Sequence, residues 1–229
     1  MFSKQEIMDR AVSARTDGMP IEAELAMATV ISACSLFYKK QRSGEDYIEH
    51  PLTVSTMNTR SRSKRIIGML HDVIEDSDWT LDDLRTIGFS ERILKAVDGV
   101  TKRPNEKYLD FIVRCGQSGK DAVDVKINDL KHNMDGSRYR HIVKDEKQSL
   151  KEAAYNLAHH YLVDLKKFKE NGETHYNYPG TSMVDYIKSR REYVSQPEMV
   201  NRLLDMFSSE LERLPLPPPT FKAPFPGMG

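Results

Sequence analysis

An all-α fold follows from two features of the sequence: apolar residues recur at helical spacing through most of the chain, and no segment alternates apolar and polar residues as a half-buried strand does. No internal repeat is present, so a solenoid is not expected. With 229 residues, 39% of them hydrophobic, the chain can bury one substantial core carrying appendages, but two full domains would be a tight fit.

Ser3 and Glu6 have the spacing of a capping box, which predicts a first helix. A long amphipathic segment from about Ile21 to Lys40 predicts the second, closed by the loop "QRSGED" around Gly44. Pro51, just after His50, sits where a new helix can begin. The next helix runs from about Arg62 to Asp76, and Ser90 is placed to cap another with the sequence "ERILKAVDGV". Then come "EKYLDFIVRC", "DAVDVKINDLKHNM" and a long helix from about Asp145 to Glu170. The long helix has Leu150, Ala154, Leu157, Tyr161, Leu165 and Phe168 at core spacing. "NGETHYNYPG", from Asn171 to Gly180, reads as a break, followed by two helical segments reaching about Leu214. The terminal "PLPPPTFKAPFPGMG" cannot continue a helix, because its prolines lack amide donors, and an extended or disordered tail is expected.

Thirty-four Lys and Arg residues balance thirty-four Asp and Glu, so no global field draws the chain to nucleic acid or to an anionic membrane, and neither is expected as a partner. Any anion site must be local. Cys34 and Cys115 lie in apolar helical contexts without metal-type spacing, which predicts buried thiols in a reducing compartment. The N-terminal "MFSKQEIMDR" lacks the apolar run of a signal peptide, and no stretch approaches transmembrane length. The expectation is a soluble, cytoplasmic protein.

The stretch "LHDVIEDS" concentrates chemistry. At about 100° per residue, His71, Asp72, Glu75 and Asp76 fall within an arc of roughly 140°, while Ile66, Ile67, Leu70, Val73 and Ile74 take the opposite side. Gly68 beside them leaves room for close approach. A solvated face ordinarily mixes in basic residues four positions on, yet none follows Asp72 until Arg85. Carboxylates this close repel one another, and a cation among them is a reasonable inference. His50 and Asp129, on two other helices, are further candidate ligands. Imidazole nitrogen with carboxylate oxygen suits manganese, iron or zinc better than magnesium or calcium. Read alone, a histidine such as His50 is more often structural than ligating.

Four elements in order resemble those of the RelA/SpoT hydrolase domain, a branch of the HD phosphohydrolase superfamily, and of its stand-alone relatives, the small alarmone hydrolases, including the metazoan SpoT homologues. "YIEHPLTVS" is similar to the family's "PYI.HP", and "LHDVIEDS" to "LHDV.EDT". "AVDGVTKR" is similar to "VDGVTKL", and "VKINDLKHNM" to "VKLADRLHNM". The resemblance implies an HD-type helical bundle, with one manganese ion held by His50, His71, Asp72 and Asp129. It implies that Glu75 and Asp76 form the couple acting on the hydrolytic water. No histidine lies between Asp72 and Asp129, the interval from which two-metal relatives draw extra ligands, so a mononuclear site is implied.

"FYKKQRSGEDYIEH" resembles the stretch that holds base and phosphates in this family. It implies Arg42 as a purine contact, Lys39 and Lys40 as phosphate contacts, and Tyr47 at the pocket wall. The loop here is shorter, with Tyr38 at the family's histidine and Asp46 at its proline. Asn133 matches a nucleotide-contacting position, and Lys126 is placed to face phosphate. Asn128 and Asp135 depart from the pattern, where relatives carry alanine and often arginine. The activity implied is removal of pyrophosphate from the 3′ position of (p)ppGpp. The alternatives are an adenosine alarmone, NADPH or another nucleotide phosphoester as substrate, or a silent nucleotide-binding module. The expected organisation is a hydrolase domain over residues 1–170, a helical extension over 171–214 too short for a synthetase domain, and a tail over 215–229. Oligomeric state is not legible.

Overall fold

The computed structural model describes residues 2–13, 21–41, 43–139, 145–171, 182–210 and 212–216. Among them every regular element is helical, apart from one isolated antiparallel bridge between Lys40 and Asp46. Helix α1 (Lys4–Ser13) begins as its capping box requires: Glu6 accepts the Ser3 amide at 2.8 Å, and Ser3 Oγ accepts the Glu6 amide at 3.2 Å. Helix α2 (Ile21–Leu36) stops short of Lys40, because the chain turns at Leu36 and Gly44, at φ 93°, folds Lys40 back onto Asp46. Helix α3 (Glu49–Thr56) has Pro51 in its first turn, where the missing N–H needs no intrahelical partner.

The single helix expected from Arg62 to Asp76 is two. Helix α4 (Arg62–Leu70) and the one-turn α5 (Val73–Asp76) are separated at His71 and Asp72. His71 Nδ1 takes the carbonyl of Gly68 at 2.8 Å, the acceptor that an uninterrupted helix would offer to the Asp72 amide. Helix α6 (Leu81–Ile87) stands where the sequence reading assigned nothing. It is marked by a Thr80–Asp83 capping box and by Gly88, at φ 112°, as its left-handed stop. Helix α7 (Glu91–Val100) follows Ser90, whose side chain does not cap it; the Ser90 amide instead donates to the buried Glu24 at 2.6 Å.

Helices α8 (Tyr108–Gln117), α9 (Lys120–Asn133) and α10 (Glu146–Asn171) come next, with a 3₁₀ turn (Gly136–Tyr139) between the last two. Three C-terminal helices appear where two were expected: α11 (Met183–Ser189), α12 (Arg191–Val194) and α13 (Pro197–Phe207). After α13 the described residues form no regular element, and Leu214 is held by Asn201, which donates to its carbonyl at 3.0 Å and accepts its amide at 2.9 Å. The expected break after Asn171 and the tail from residue 217 lie outside the described residues.

Two helices carry the architecture. Helix α4 packs against α2, α3, α7 and α9, and α9 packs in turn against α3, α7, α8 and α10. Ile66, Ile67 and Leu70 of α4 and Leu130 of α9 are fully buried, each stabilising the fold by about 1.5–3 kcal/mol on transfer grounds. Helix α9 also buries Asp124, Lys126, Asn128 and Asp129. Asp124 is paired with Lys64 of α4 and, at 2.6 Å, with Lys166 of α10. Asn128 donates to the Met57 carbonyl at 2.6 Å, satisfying the end of α3, so its departure from alanine serves helix packing. Helices α11 and α13 pack on α8 and α10. No helix among the described residues is long and apolar enough to cross a membrane. Cys115 is fully buried, which pushes its thiol up to about 12, whereas Cys34 is only partly covered; both are free.

The room left by Gly68 is filled by protein backbone. A Cβ there would lie 2.7 Å from Ser55 Cα and 2.9 Å from Ser55 N, both on α3. This contact sets the spacing of α3 and α4. We expect Gly68→Ala to destabilise the protein by about 1–3 kcal/mol, as overpacking against backbone does. Urea unfolding should show the loss as a lower midpoint at unchanged slope.

Candidate active site

The close α3–α4 contact places His50, in the first turn of α3, beside His71 at the end of α4. Their Nε2 atoms are 3.0 Å apart. Asp72, in the turn after α4, and Asp129, from the middle of α9, complete the group. Asp72 Oδ2 lies 3.4 Å from His50 Nε2 and 3.2 Å from His71 Nε2. Asp129 Oδ1 lies 3.1 and 3.7 Å from the same two atoms. His50, His71 and Asp129 are buried, and Asp72 is partly exposed. Atoms bound to one ion at about 2.1 Å are roughly 3.0–3.4 Å apart in octahedral or tetrahedral arrangements, close to the spacings found here. His50, His71 and Asp72 form the tightest triplet, and Asp129 joins it through the imidazoles.

The donor set agrees with that spacing. A carbonyl only accepts, so His71 must donate its Nδ1 proton to Gly68, which leaves its Nε2 lone pair aimed at His50. Across the 3.0 Å to His50 Nε2, that lone pair needs a proton or a cation. Burial disfavours an imidazolium at His71, but Asp72 and Asp129 outweigh burial and hold its pKa well above the ordinary range. Burial would also raise both carboxyls. His71 and His50 nevertheless bring Asp72 to about 2, and Lys126 with the two imidazoles holds Asp129 well below its usual value. The centre is therefore built to carry positive charge between two carboxylates.

Around these four residues a second set of side chains fixes the carboxylates. The Tyr47 hydroxyl donates to Asp72 Oδ2 at 2.8 Å, and burial together with Asp72 raises its pKa so that it stays a neutral donor. Lys126 donates to Asp129 Oδ2 at 2.7 Å and sits 4.8 Å from the Phe111 ring centroid. Asn133 donates to Asp129 Oδ1 at 2.5 Å. His50 Nδ1 meets His132 Nδ1 at 2.6 Å.

A cleft of about 310 Å³ opens onto the group. Glu75 lines it from α5, with Oε1 held by the Lys102 amide at 2.6 Å. Burial raises the Glu75 pKa against the opposing pull of that amide and of Lys126. Lys102, Lys126 and Lys151 bring positive charge to the cleft, and Tyr108, Phe111 and Tyr155 supply aromatic wall. Such a mixture suits a ligand with an aromatic base and several phosphates.

Other sequence candidates stand apart from the cleft lining. Asp76 is paired with Lys39, whose ammonium lies 3.1 Å from its carboxylate and 2.5 Å from its backbone carbonyl. Asp76 lines a different depression, next to α1 and Trp79. Lys40 is engaged by Asp46, and Arg42 lies outside the described residues. Asp76 nevertheless stays near the centre, beside the Tyr47 hydroxyl that holds Asp72. His132, Lys102, Lys151 and Tyr155 were missed by sequence reasoning. Lys102 and His132 lie inside the quoted elements "AVDGVTKR" and "VKINDLKHNM" and could have been found there, whereas Lys151 and Tyr155 reach the cleft from α10 without a local signature.

No protein-family model matches the chain. Among curated proteins it is similar to the GTP pyrophosphokinase of Streptomyces coelicolor, 32% identical over 123 residues, which is 48% of this chain and 14% of that protein. It is similar to the guanosine-3′,5′-bis(diphosphate) 3′-pyrophosphohydrolase of Aquifex aeolicus, 38% identical over 73 residues, or 31% of this chain and 10% of the relative. It is also similar to the bifunctional (p)ppGpp synthase/hydrolase SpoT of Escherichia coli, 25% identical over 198 residues, which is 76% of this chain and 27% of that protein. The matches therefore span about a tenth to a quarter of these relatives' own lengths.

Proposed function

We propose that this chain is a manganese-dependent hydrolase of the RelA/SpoT kind, removing pyrophosphate from the 3′ position of (p)ppGpp to give GDP or GTP. The observation that carries the reading is the buried pair of imidazole Nε2 atoms at 3.0 Å, flanked by Asp72 and Asp129 at the end of a lysine-lined cleft. The name of the Aquifex relative supports the substrate and the hydrolytic direction, and that of the Escherichia relative names both synthesis and hydrolysis of the same nucleotide. Manganese held by His50, His71, Asp72 and Asp129 would supply a Lewis acid that acidifies a bound water and draws charge from a phosphate oxygen.

Glu75 is the base in this reading, and Asp76 is not. Glu75 faces the cleft, its Oε1 is occupied by the Lys102 amide, and Oε2 is left to take the proton of the attacking water. Its raised pKa suits a base working near neutral pH. As water adds to phosphorus, the bond to the ribose 3′ oxygen breaks and that oxygen leaves as a hydroxyl once protonated. Lys102 and Lys151 offset the charge of the diphosphate, and Lys126 keeps Asp129 ionised and aimed. Tyr155 and Tyr108 provide faces for the purine. Asp76, tied to Lys39, holds α5 against the start of the 38–47 loop.

Metal-stripped protein should bind one manganese ion per chain. At a free concentration one hundred times Kd, the ion should add about 2.7 kcal/mol of stability, read as a rise in Tm. Asp72→Ala should lose that rise. With manganese restored, pyrophosphate should be released from ppGpp, with no turnover of its adenosine analogue or NADPH. Phosphate release from NADPH, or no turnover of any of the three, overturns the reading. Glu75→Gln should lower kcat by about 10²- to 10⁴-fold with manganese affinity unchanged.

A further inference from the structure

The contact between His50 and His132 has a polarity that a third residue decides. At 2.6 Å, exactly one of the two Nδ1 atoms carries the proton. Arg138 Nη1 lies 3.0 Å from the same His132 Nδ1 and 3.0 Å from the His132 carbonyl. A guanidinium only donates, and a proton on His132 Nδ1 would point at it, so the arrangement favours His132 Nδ1 as acceptor and the proton of the pair on His50 Nδ1. His50 Nε2 is then the bare atom, facing His71, Asp72 and Asp129. The two rings meet end to end, with centroids 4.9 Å apart and planes at 25°, which suits an N–H···N bond between the two Nδ1 atoms.

Arg138 is itself well anchored. Its side chain is 9% exposed, and its Nη2 donates to Gln41 Oε1 and lies 3.4 Å from Glu45 Oε2. It is thrown back over His132 by the 3₁₀ turn, which Asp135 opens by accepting the Ser137 amide at 3.0 Å and the Arg138 amide, through its carbonyl, at 3.2 Å. This gives Asp135, a departure from the family pattern, a structural task.

We propose that Arg138 and His132 are positioning residues that lock His50 in its metal-ligating tautomer and tie the segment bearing Gln41 and Glu45 to the metal centre. The proposal rests on the metal-site reading above. Without the Arg138 donor nothing forbids the opposite polarity, in which His132 donates and the His50 proton moves to Nε2, the atom meant for the ion. Tyr47, at the far end of the same loop, holds Asp72. The loop is thus linked to two ligands, one through each of its ends.

The test is manganese affinity, measured by the free-ion electron paramagnetic resonance signal on titration of metal-stripped wild type, Arg138→Ala, Arg138→Lys and His132→Phe. Arg138→Ala and His132→Phe should each bind manganese about 10- to 100-fold more weakly, the usual cost of losing an outer partner of a ligating histidine. Arg138→Lys, which still only donates, should recover most of the affinity. In metal-free protein with ¹⁵N-labelled histidine, the His50 proton should sit on Nδ1 in wild type and be shared with Nε2 in Arg138→Ala. Wild-type affinity in folded Arg138→Ala overturns the proposal, as does equal loss in the alanine and lysine variants. If His132→Phe fails to fold, the two Arg138 variants decide the matter. A wild type that binds no manganese instead sinks the metal reading itself, so the two failures are distinguishable.

Discussion

Backbone contact between Gly68 and Ser55 governs the distance from α3 to α4, and the rest of the site inherits that distance. A methyl group at position 68 would fall inside the van der Waals shell of the Ser55 main chain, so the two helices meet only because the glycine has none. His50 starts one of these helices and His71 ends the other. Their ring nitrogens can converge at 3.0 Å because the helices bearing them already touch. The turn after α4 then brings in Asp72, and α9, packed across both helices, brings in Asp129.

Convergence on that scale creates an electrostatic problem that the surrounding residues solve locally. Two carboxylates and two imidazoles are mostly withdrawn from water, where an unpaired charge is costly. Each carboxylate is met by a donor reaching it from outside the cluster: Tyr47 for Asp72, Lys126 and Asn133 for Asp129. The imidazoles are oriented from behind by the Gly68 carbonyl and by His132. A chain with zero formal net charge thereby keeps a strongly charged centre, with its lysines turned to the cleft where an anionic ligand would enter.

Much of this was legible before the structure. Helical spacing identified most of the elements because their buried faces are long and regular, as in α10, where Leu150, Ala154, Leu157, Tyr161 and Leu165 are all buried. It missed α6, seven residues long, where caps rather than periodicity carry the signal. The uncompensated acidic face of "LHDVIEDS" was the local sign of a charged centre. Glu75 lines the cleft, whereas Asp76, on the same turn, is tied to Lys39 and lies beside Tyr47. Lys39 and Lys40 looked like phosphate ligands in the linear chain, yet each has an acidic partner close by, Asp76 and Asp46.

The sequence by itself determined most of the helices, the buried side of the longer ones, and the residue types able to hold a cation, because these depend on spacing within one turn or on the chemistry of single side chains. Only the tertiary structure decided which of two adjacent carboxylates lines the cleft, that Lys151 and Tyr155 reach it from α10, and that Arg138 sets the polarity between His132 and His50. The last of these depends on contacts of 2.6 and 3.0 Å between groups 82 and 6 residues apart in the chain. Periodicity within one helix carries no information about such distances; the packing of one helix against another does.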